Sequence, residues 1–418
     1  MKALHVLLAV LLMTFRSNAA DLDLAGKATN EFAVDLQRQF AGDENLCVSP
    51  YSIEAALAMI LGGADGDTRT EIAHVLHLPN DGDRIHAWFA ALQGSLDDMA
   101  KRTEKIAEDS KKYRAASEPL TIAVANRLFG QRGYAFRESF EALVKKFYGA
   151  PFEALDFQKN PEREREYINK WVADQTRERI RDLIPPNGIN NMTRLVLANA
   201  LYLKAPWAAT FSESATQPKP FHVRARETVD VPMMNKVASF GYVRHEGLTA
   251  VALPYLGGDL QFLILLPEKV DGLPEIERKL SADLLTQCAR LKSQDVNLEL
   301  PKFKLEPPTI ALAEKLKAMG MRFAFDEPKG SANFDRIAPR RPDAYLYLSN
   351  VFHKTFITVD EKGTEAAAAT AATMMLATGM ARPKPPPVVV KVDRPFLYAI
   401  QHVPSGACLF LGRVTDPR

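Results

Sequence analysis

The order of apolar patterns along the 418-residue chain predicts an α+β domain. Helical periodicity fills the first half, β-branched and aromatic runs fill the second, and there is neither a regular strand–helix alternation nor an internal repeat. With 47% hydrophobic and 25% charged residues the chain has ample material for a core, which excludes disorder, collagen and a coiled coil. Nothing in the composition splits the chain, so residues 21–418 are expected to form a single domain.

Residues 1–20 are set apart. Lys2 precedes an apolar run from Ala3 to Phe15, followed by the small residues Ser17, Ala19 and Ala20. The run is too short for the roughly twenty residues that span a bilayer, and the order of charge, apolar stretch and small residues is that of a secretory signal peptide. A secreted, soluble protein is therefore expected, periplasmic or extracellular if the source is bacterial. The chain carries 53 Lys+Arg against 51 Asp+Glu, and loss of Lys2 and Arg16 with the signal brings the balance near zero. Such a balance gives no general pull toward nucleic acid or an anionic membrane.

The helices come in order. Phe32, Leu36 and Phe40 recur every fourth residue before Gly42. Ile53, Ala56, Leu57, Ile60 and Leu61 share one face of a second helix that ends at Gly62 and Gly63. Further helical patterns cover 69–78, 84–96, 137–148 and 163–183. Residues 97–118 are strongly charged and read as a solvated helix extension or a mobile loop. Their basic members Lys101, Arg102, Lys105, Lys111, Lys112 and Arg114 form a weak candidate polyanion site, offset by Asp97, Asp98, Glu104, Glu108 and Asp109. Strand patterns follow at 195–203, 260–266, 356–359, 388–392 and 408–414, several of them apolar on both faces.

Catalytic signatures are absent from the string. His74 and His77 have no third ligand or catalytic carboxylate beside them, Gly62 and Gly63 do not follow a strand, and neither GxSxG nor a P-loop occurs. Cys47, Cys288 and Cys408 are too far apart for a zinc motif and odd in number, so buried thiols are expected and no metal or cofactor is assigned. A hydrolase is the poorest reading.

The segment 361–387, EKGTEAAAATAATMMLATGMARPKPPP, is the most unusual. Its alanines favour a helix by propensity, whereas the prolines from Pro383 to Pro387 favour an extended run. Laid out as a strand, Thr364, Ala366, Ala368, Thr370 and Ala372 fall on one face, all small. Such a strand could slide between two existing strands without a bulge.

VDEKGTEAAAAT resembles the hinge of the serpin family, the conformationally trapping protease inhibitors. The resemblance runs in order along nearly the whole chain: NLCVSPYSI at 45–53, NALYLKAPW at 199–207, VPMM at 231–234, LPKFKL at 300–305, FHKTFITVDEKG at 352–363, DRPFLY at 393–398 and FLGRVTDP at 410–417. It implies one α+β domain with three β-sheets, about nine helices and an exposed reactive loop, here 361–387. It further implies a metastable monomer whose loop is attacked by a serine protease and then inserts as a new strand, trapping the acyl-enzyme.

Carried onto this chain, the resemblance makes Glu361, Gly363, Thr364, Glu365, Ala366, Ala367, Ala368, Ala369 and Thr370 the hinge. Ser49, Ser52, Asn199 and His353 become the buried shutter beneath the central strands, and Trp207 the aromatic where the loop enters. Fourteen residues beyond Gly363 lies Ala377, so the reactive bond is expected between Ala377 and Thr378, with Met374, Met375 and Leu376 filling neighbouring subsites. A small residue before the bond suits elastase-like or subtilisin-like enzymes. The segment after Thr378 is longer than the family pattern, which leaves Leu376 and Met380 as other cleavage positions; Arg382 is disfavoured by Pro383. The alternative is a non-inhibitory carrier, chaperone or storage serpin; small hinge residues favour the inhibitor. Asn191, in an NMT sequon, is a glycosylation acceptor only where the source has that machinery.

Overall fold

The computed structural model describes residues 2–40, 42–79, 82, 84–112, 118–149, 152–341, 345–364 and 385–418, with side chains from residue 20 onward, those of 111, 112 and 124 excepted. Among these residues are nine α-helices and three sheets, of nine, six and two strands.

Chain order explains the layers. Pro50–Gly63 starts on a proline whose missing N–H costs nothing in a first turn, and Ser49 caps it by accepting from the Ser52 N–H. All of its residues are buried. That burial reflects its place between the two large sheets, against Ala407–Val414 of one and Leu195–Pro206 of the other. Around it pack Lys2–Arg38, Arg84–Lys112 and Glu138–Tyr148.

The nine-stranded sheet runs Leu46–Val48, Ala407–Val414, Phe396–His402, Leu260–Pro267, Leu248–Pro254, Glu227–His245, Ser293–Pro301, Val388–Lys391, with Gln217–Arg224 paired to Glu227–His245 off this path. Leu260–Pro267, Phe396–His402 and Ala407–Val414 are buried at every position, as near-continuous apolar runs require. Val388–Lys391, the strand that follows the loop segment, adds parallel to Ser293–Pro301.

The six-stranded sheet runs Phe303–Leu305, Ile357–Val359, Gly363–Thr364, Leu195–Pro206, Thr121–Gln131, Phe152–Leu155. One helix, Pro161–Gln175, covers it, with Trp171 edge-on to Phe129 and the Arg127 guanidinium 4.7 Å from the Trp171 ring. Arg127 also pairs with Glu153 at 2.7 Å.

Two sequence expectations change. The helical pattern read over 163–183 ends at Gln175, because Arg177, Glu178 and Asp182 take left-handed backbone angles, φ 52°, 63° and 53°. Thr121–Gln131 is a central strand in the half read as helical. The ambiguous stretch 97–118 is helical as far as Lys112. The three cysteines are free and buried.

Candidate functional site

Among the described residues, two strands of the six-stranded sheet are joined only through a two-residue third. Leu195–Pro206 and Ile357–Val359 do not pair with each other; both pair with the two-residue strand Gly363–Thr364, Thr364 lying opposite Val359 on one side and Ala205 on the other. Thr364 is 1% exposed. Gly363 has φ 155°, and a Cβ there would overlap the Ala205 carbonyl oxygen, so only glycine fits the turn that brings the chain into the slot.

The turn is locked by its neighbours. Asp360 accepts the Lys362 and Gly363 N–H groups at 2.8 and 3.2 Å. Burial pushes the Asp360 carboxyl up, against the pull of those two donors. Trp207 donates its ring N–H to the Asp360 carbonyl at 2.9 Å and stacks on Tyr255 with centroids 4.7 Å apart. The Tyr255 hydroxyl in turn meets the Thr364 hydroxyl at 2.5 Å. Glu361 is buried but paired with Lys302 at 2.8 Å and bonded by Thr216 at 2.7 Å. Burial opposes its charge, yet these two partners more than offset that and hold its pKa below the usual carboxylate range.

Below the slot lies a second cluster. The Ser49 N–H donates to His353 Nε2 at 3.0 Å, and the Ser49 hydroxyl donates to the Leu409 carbonyl at 2.7 Å. The Ser52 hydroxyl donates to Asn199, whose amide donates to Asn126. These bonds tie the nine-stranded sheet, the central helix and two strands of the six-stranded sheet at one point. Because a backbone N–H already points at Nε2, the His353 ring is held neutral, and burial pushes its pKa down to about 3.

A strap crosses over the slot. Residues 176–189 leave the cover helix, where Arg165 Nη1 and Asn169 Nδ2 both donate to the Ile184 carbonyl, at 2.8 and 2.9 Å. On the far side Lys354 donates to the Arg181 carbonyl at 2.7 Å, and Arg179 lies over the Phe356 ring.

The structure thus brings Ser49, Ser52, Asn199 and His353 into one bonded cluster, and Trp207, Glu361, Gly363 and Thr364 into another. Sequence reasoning missed Asn126, Tyr255, Asp360, Lys302 and Thr216 as members. Glu365, Ala366, Ala367, Ala368, Ala369, Thr370, Met374, Met375, Leu376, Ala377 and Thr378 lie outside the described residues, as does Arg114. In the basic cluster Lys101 pairs with Asp98 at 3.6 Å and Arg102 with Asp259 at 2.7 Å. Those pairs leave Lys101 and Arg102 already neutralised locally. Among the described residues no group of His, Cys, Asp and Glu could hold a metal ion, and no helix is long and apolar enough to cross a membrane.

At one end of this sheet Gly363–Thr364 thus bridges Leu195–Pro206 and Ile357–Val359. The chain belongs to the serpin family: the model for "Serpin (serine protease inhibitor)" matches residues 27–417. It is 38% identical over 94% of its length to an uncharacterized serpin-like protein of Thermococcus kodakarensis, covering 85% of that protein. It is 36% identical to the leukocyte elastase inhibitor of Equus caballus, over 93% of this chain and 98% of the relative. Uncleaved ovalbumin superposes with a TM-score of 0.77 at 28% identity, over 94% of this chain and all of that one.

Proposed function

We propose that the protein is a secreted suicide-substrate inhibitor of serine proteases with a small-residue preference, elastase-like or subtilisin-like. The observation that carries this reading is Thr364 seated between Val359 and Ala205, the first step of a strand whose next residues are small enough to follow. Cleavage between Ala377 and Thr378 frees Glu365–Ala377 to continue that strand down the slot, and the attached protease is carried with it. Serpin loop insertion is a recognised example of strand addition.

The driving force is adequate. About a dozen new ladder hydrogen bonds at about 1 kcal/mol each rival the 5–15 kcal/mol, roughly, that stabilises a typical domain. Distorting a triad and oxyanion hole requires only loss of close positioning. The shutter cluster must part and the strap must lift for the strand to enter, which assigns Ser49, Ser52, Asn199 and His353 to gating rather than to chemistry.

Incubation of the mature chain, residues 21–418, with pancreatic elastase and with subtilisin tests the reading. The expected result is a complex that survives SDS, with a released peptide beginning at Thr378. Cleavage without complex and without a gain in thermal stability overturns inhibition and leaves the carrier or chaperone role. A complex with a cut after Leu376 or Met380 keeps the mechanism and moves the specificity.

A further inference from the structure

Two residues beyond Ser52, on the side of the same helix that faces the helical layer instead of the sheet, lies Glu54. Its side chain is wholly buried. Oε2 meets the Thr29 hydroxyl at 2.5 Å, and Oε1 has no hydrogen-bond partner. The groups near it are hydroxyls, a second carboxylate and, bonded to Tyr148, the buried imidazole of His86. Lys2–Arg38 supplies Thr29 and, nearby, Glu31. Its own helix supplies Tyr51, whose hydroxyl donates to Gln93 at 3.0 Å and which senses Asp97. Glu138–Tyr148 supplies Tyr148, whose hydroxyl meets His86 Nδ1 at 2.6 Å. Among the described residues no cation pairs with Glu54.

A carboxylate in such a site has one hydroxyl donor, an unpartnered second oxygen and no counter-charge, too little to make burial of the charge tolerable. We propose that Glu54 is a proton switch on the shutter helix, neutral while the helical layer is packed and ionising when that layer loosens, so that rising pH draws the molecule away from its packed native state. Burial pushes this carboxyl well above its ordinary value, against the Thr29 hydrogen bond. The stabilising contribution of the protonated form is therefore complete below the unfolded value of about 4.3 and is lost as pH rises toward the folded value. Each pH unit in that window weakens the folding equilibrium by up to roughly tenfold.

The switch acts on the slot because Ser49 and Ser52, in the first turn of this helix, hold Leu409, His353 and Asn199. Displacing that turn loosens the clamp, so spontaneous loop insertion should also quicken with pH. This second consequence rests on the inhibitor reading above; the stability consequence does not.

Thermal unfolding of the mature chain from pH 5 to 8, for wild type, Glu54→Gln and Thr29→Val, decides the matter. Glu54→Gln keeps the shape and removes the proton, and subtracting its curve cancels the histidine contributions common to both. The difference is expected to grow with pH by up to roughly tenfold in the unfolding constant per unit, with Thr29→Val weaker throughout but still sloped. Parallel curves for wild type and Glu54→Gln overturn the switch. Should Glu54→Gln not fold, calorimetry of wild type near neutral pH in two buffers of different ionisation enthalpy reads the same quantity once the protons that His353 and His402 take up on unfolding are added back: about one proton released supports it, and none overturns it. Loss of elastase inhibition timed at acid and alkaline pH adds the second arm; a widening stability difference in a protein that never inhibits leaves the switch standing and removes the inhibitor reading.

Discussion

In the nine-stranded sheet Leu260–Pro267 pairs from Gln261 to Pro267 with Leu248–Pro254 on one side and from Leu260 to Leu265 with Phe396–His402 on the other, and every residue is buried. In the six-stranded sheet Leu195–Pro206 pairs from Leu195 to Lys204 with Thr121–Gln131 on one side and, among the described residues, only at Ala205 and Pro206 with Gly363–Thr364 on the other. Both strands are apolar and rich in leucine. The difference is in what remains unpaired. Among the described residues, one strand is paired along most of both edges and the other along most of one edge and only the end of the second.

The sharpest way to break the comparison is to place a charge where the second sheet begins to close. Thr364→Arg puts a guanidinium at a buried position whose near neighbours are Val359, Ala205 and the Tyr255 hydroxyl, a cost of several kcal/mol unless the residue is expelled. Global stability should change little, because expulsion is available. The covalent complex should disappear and the protein be cut as a substrate. Leu263→Ala, at a wholly buried position of the nine-stranded sheet, should do the reverse, losing about 2–5 kcal/mol of stability with little change in the ratio of trapped to cleaved molecules. Gel quantification of complex against cleaved product, beside thermal melts, separates the two; similar melting losses for both variants would sink the contrast.

A second difference concerns pH. His353, in the two-stranded sheet, is tied through Ser49 to Leu409 of the nine-stranded sheet, and its ring is held neutral with a pKa pushed down to about 3. A histidine depressed on folding binds fewer protons in the native state than in the unfolded chain. Stability is therefore present above the unfolded value of about 6.5 and lost as pH falls below it, by about 1.4 kcal/mol per unit. His402, also buried and pushed down to about 4, acts with the same sign. Wild type should lose stability from pH 6 toward pH 4, and His353→Gln should flatten that acid limb while leaving the part due to His402. An unchanged acid limb in the variant would refute the assignment. The sign is opposite to that of Glu54, so above the unfolded carboxyl value of about 4.3 the two effects offset each other.

How much of this was legible in the string depends on distance along the chain. The turn at Gly363 was readable because its constraint is local, a glycine followed by small residues at every second position, whereas the hinge role came from the family resemblance. The shutter residues were named through family resemblance, and the bonds among Ser49, Ser52, Asn199 and His353 give that a physical form. Asn126 escaped because its strand, TIAVANRLFGQ, mixes small, polar and apolar residues without clean alternation. The helix read to Leu183 overshot because the apolar period continues through Ile180 and Leu183 although the backbone has already turned left-handed at Arg177. Tyr255 could not have been found, since its hydroxyl meets a residue 109 positions away. No local pattern marks a tyrosine chosen by sheet register.

Tyr255 also offers the gentlest test. Removing its hydroxyl leaves the stack on Trp207 intact, the rings being nearly parallel at an interplanar angle of 5°, and deletes only the bond to Thr364. A single buried hydroxyl pair contributes about 1 kcal/mol, so Tyr255→Phe should shift the seating of the hinge about fivefold toward the expelled form without altering the fold. If a seated Thr364 restrains the loop, the variant reacts with its protease faster; if seating is the first step of insertion, the variant traps less efficiently and is cleaved more. The two outcomes move the association rate and the complex-to-cleavage ratio separately. Their measurement thus says whether the two residues already in the sheet are a brake or a start.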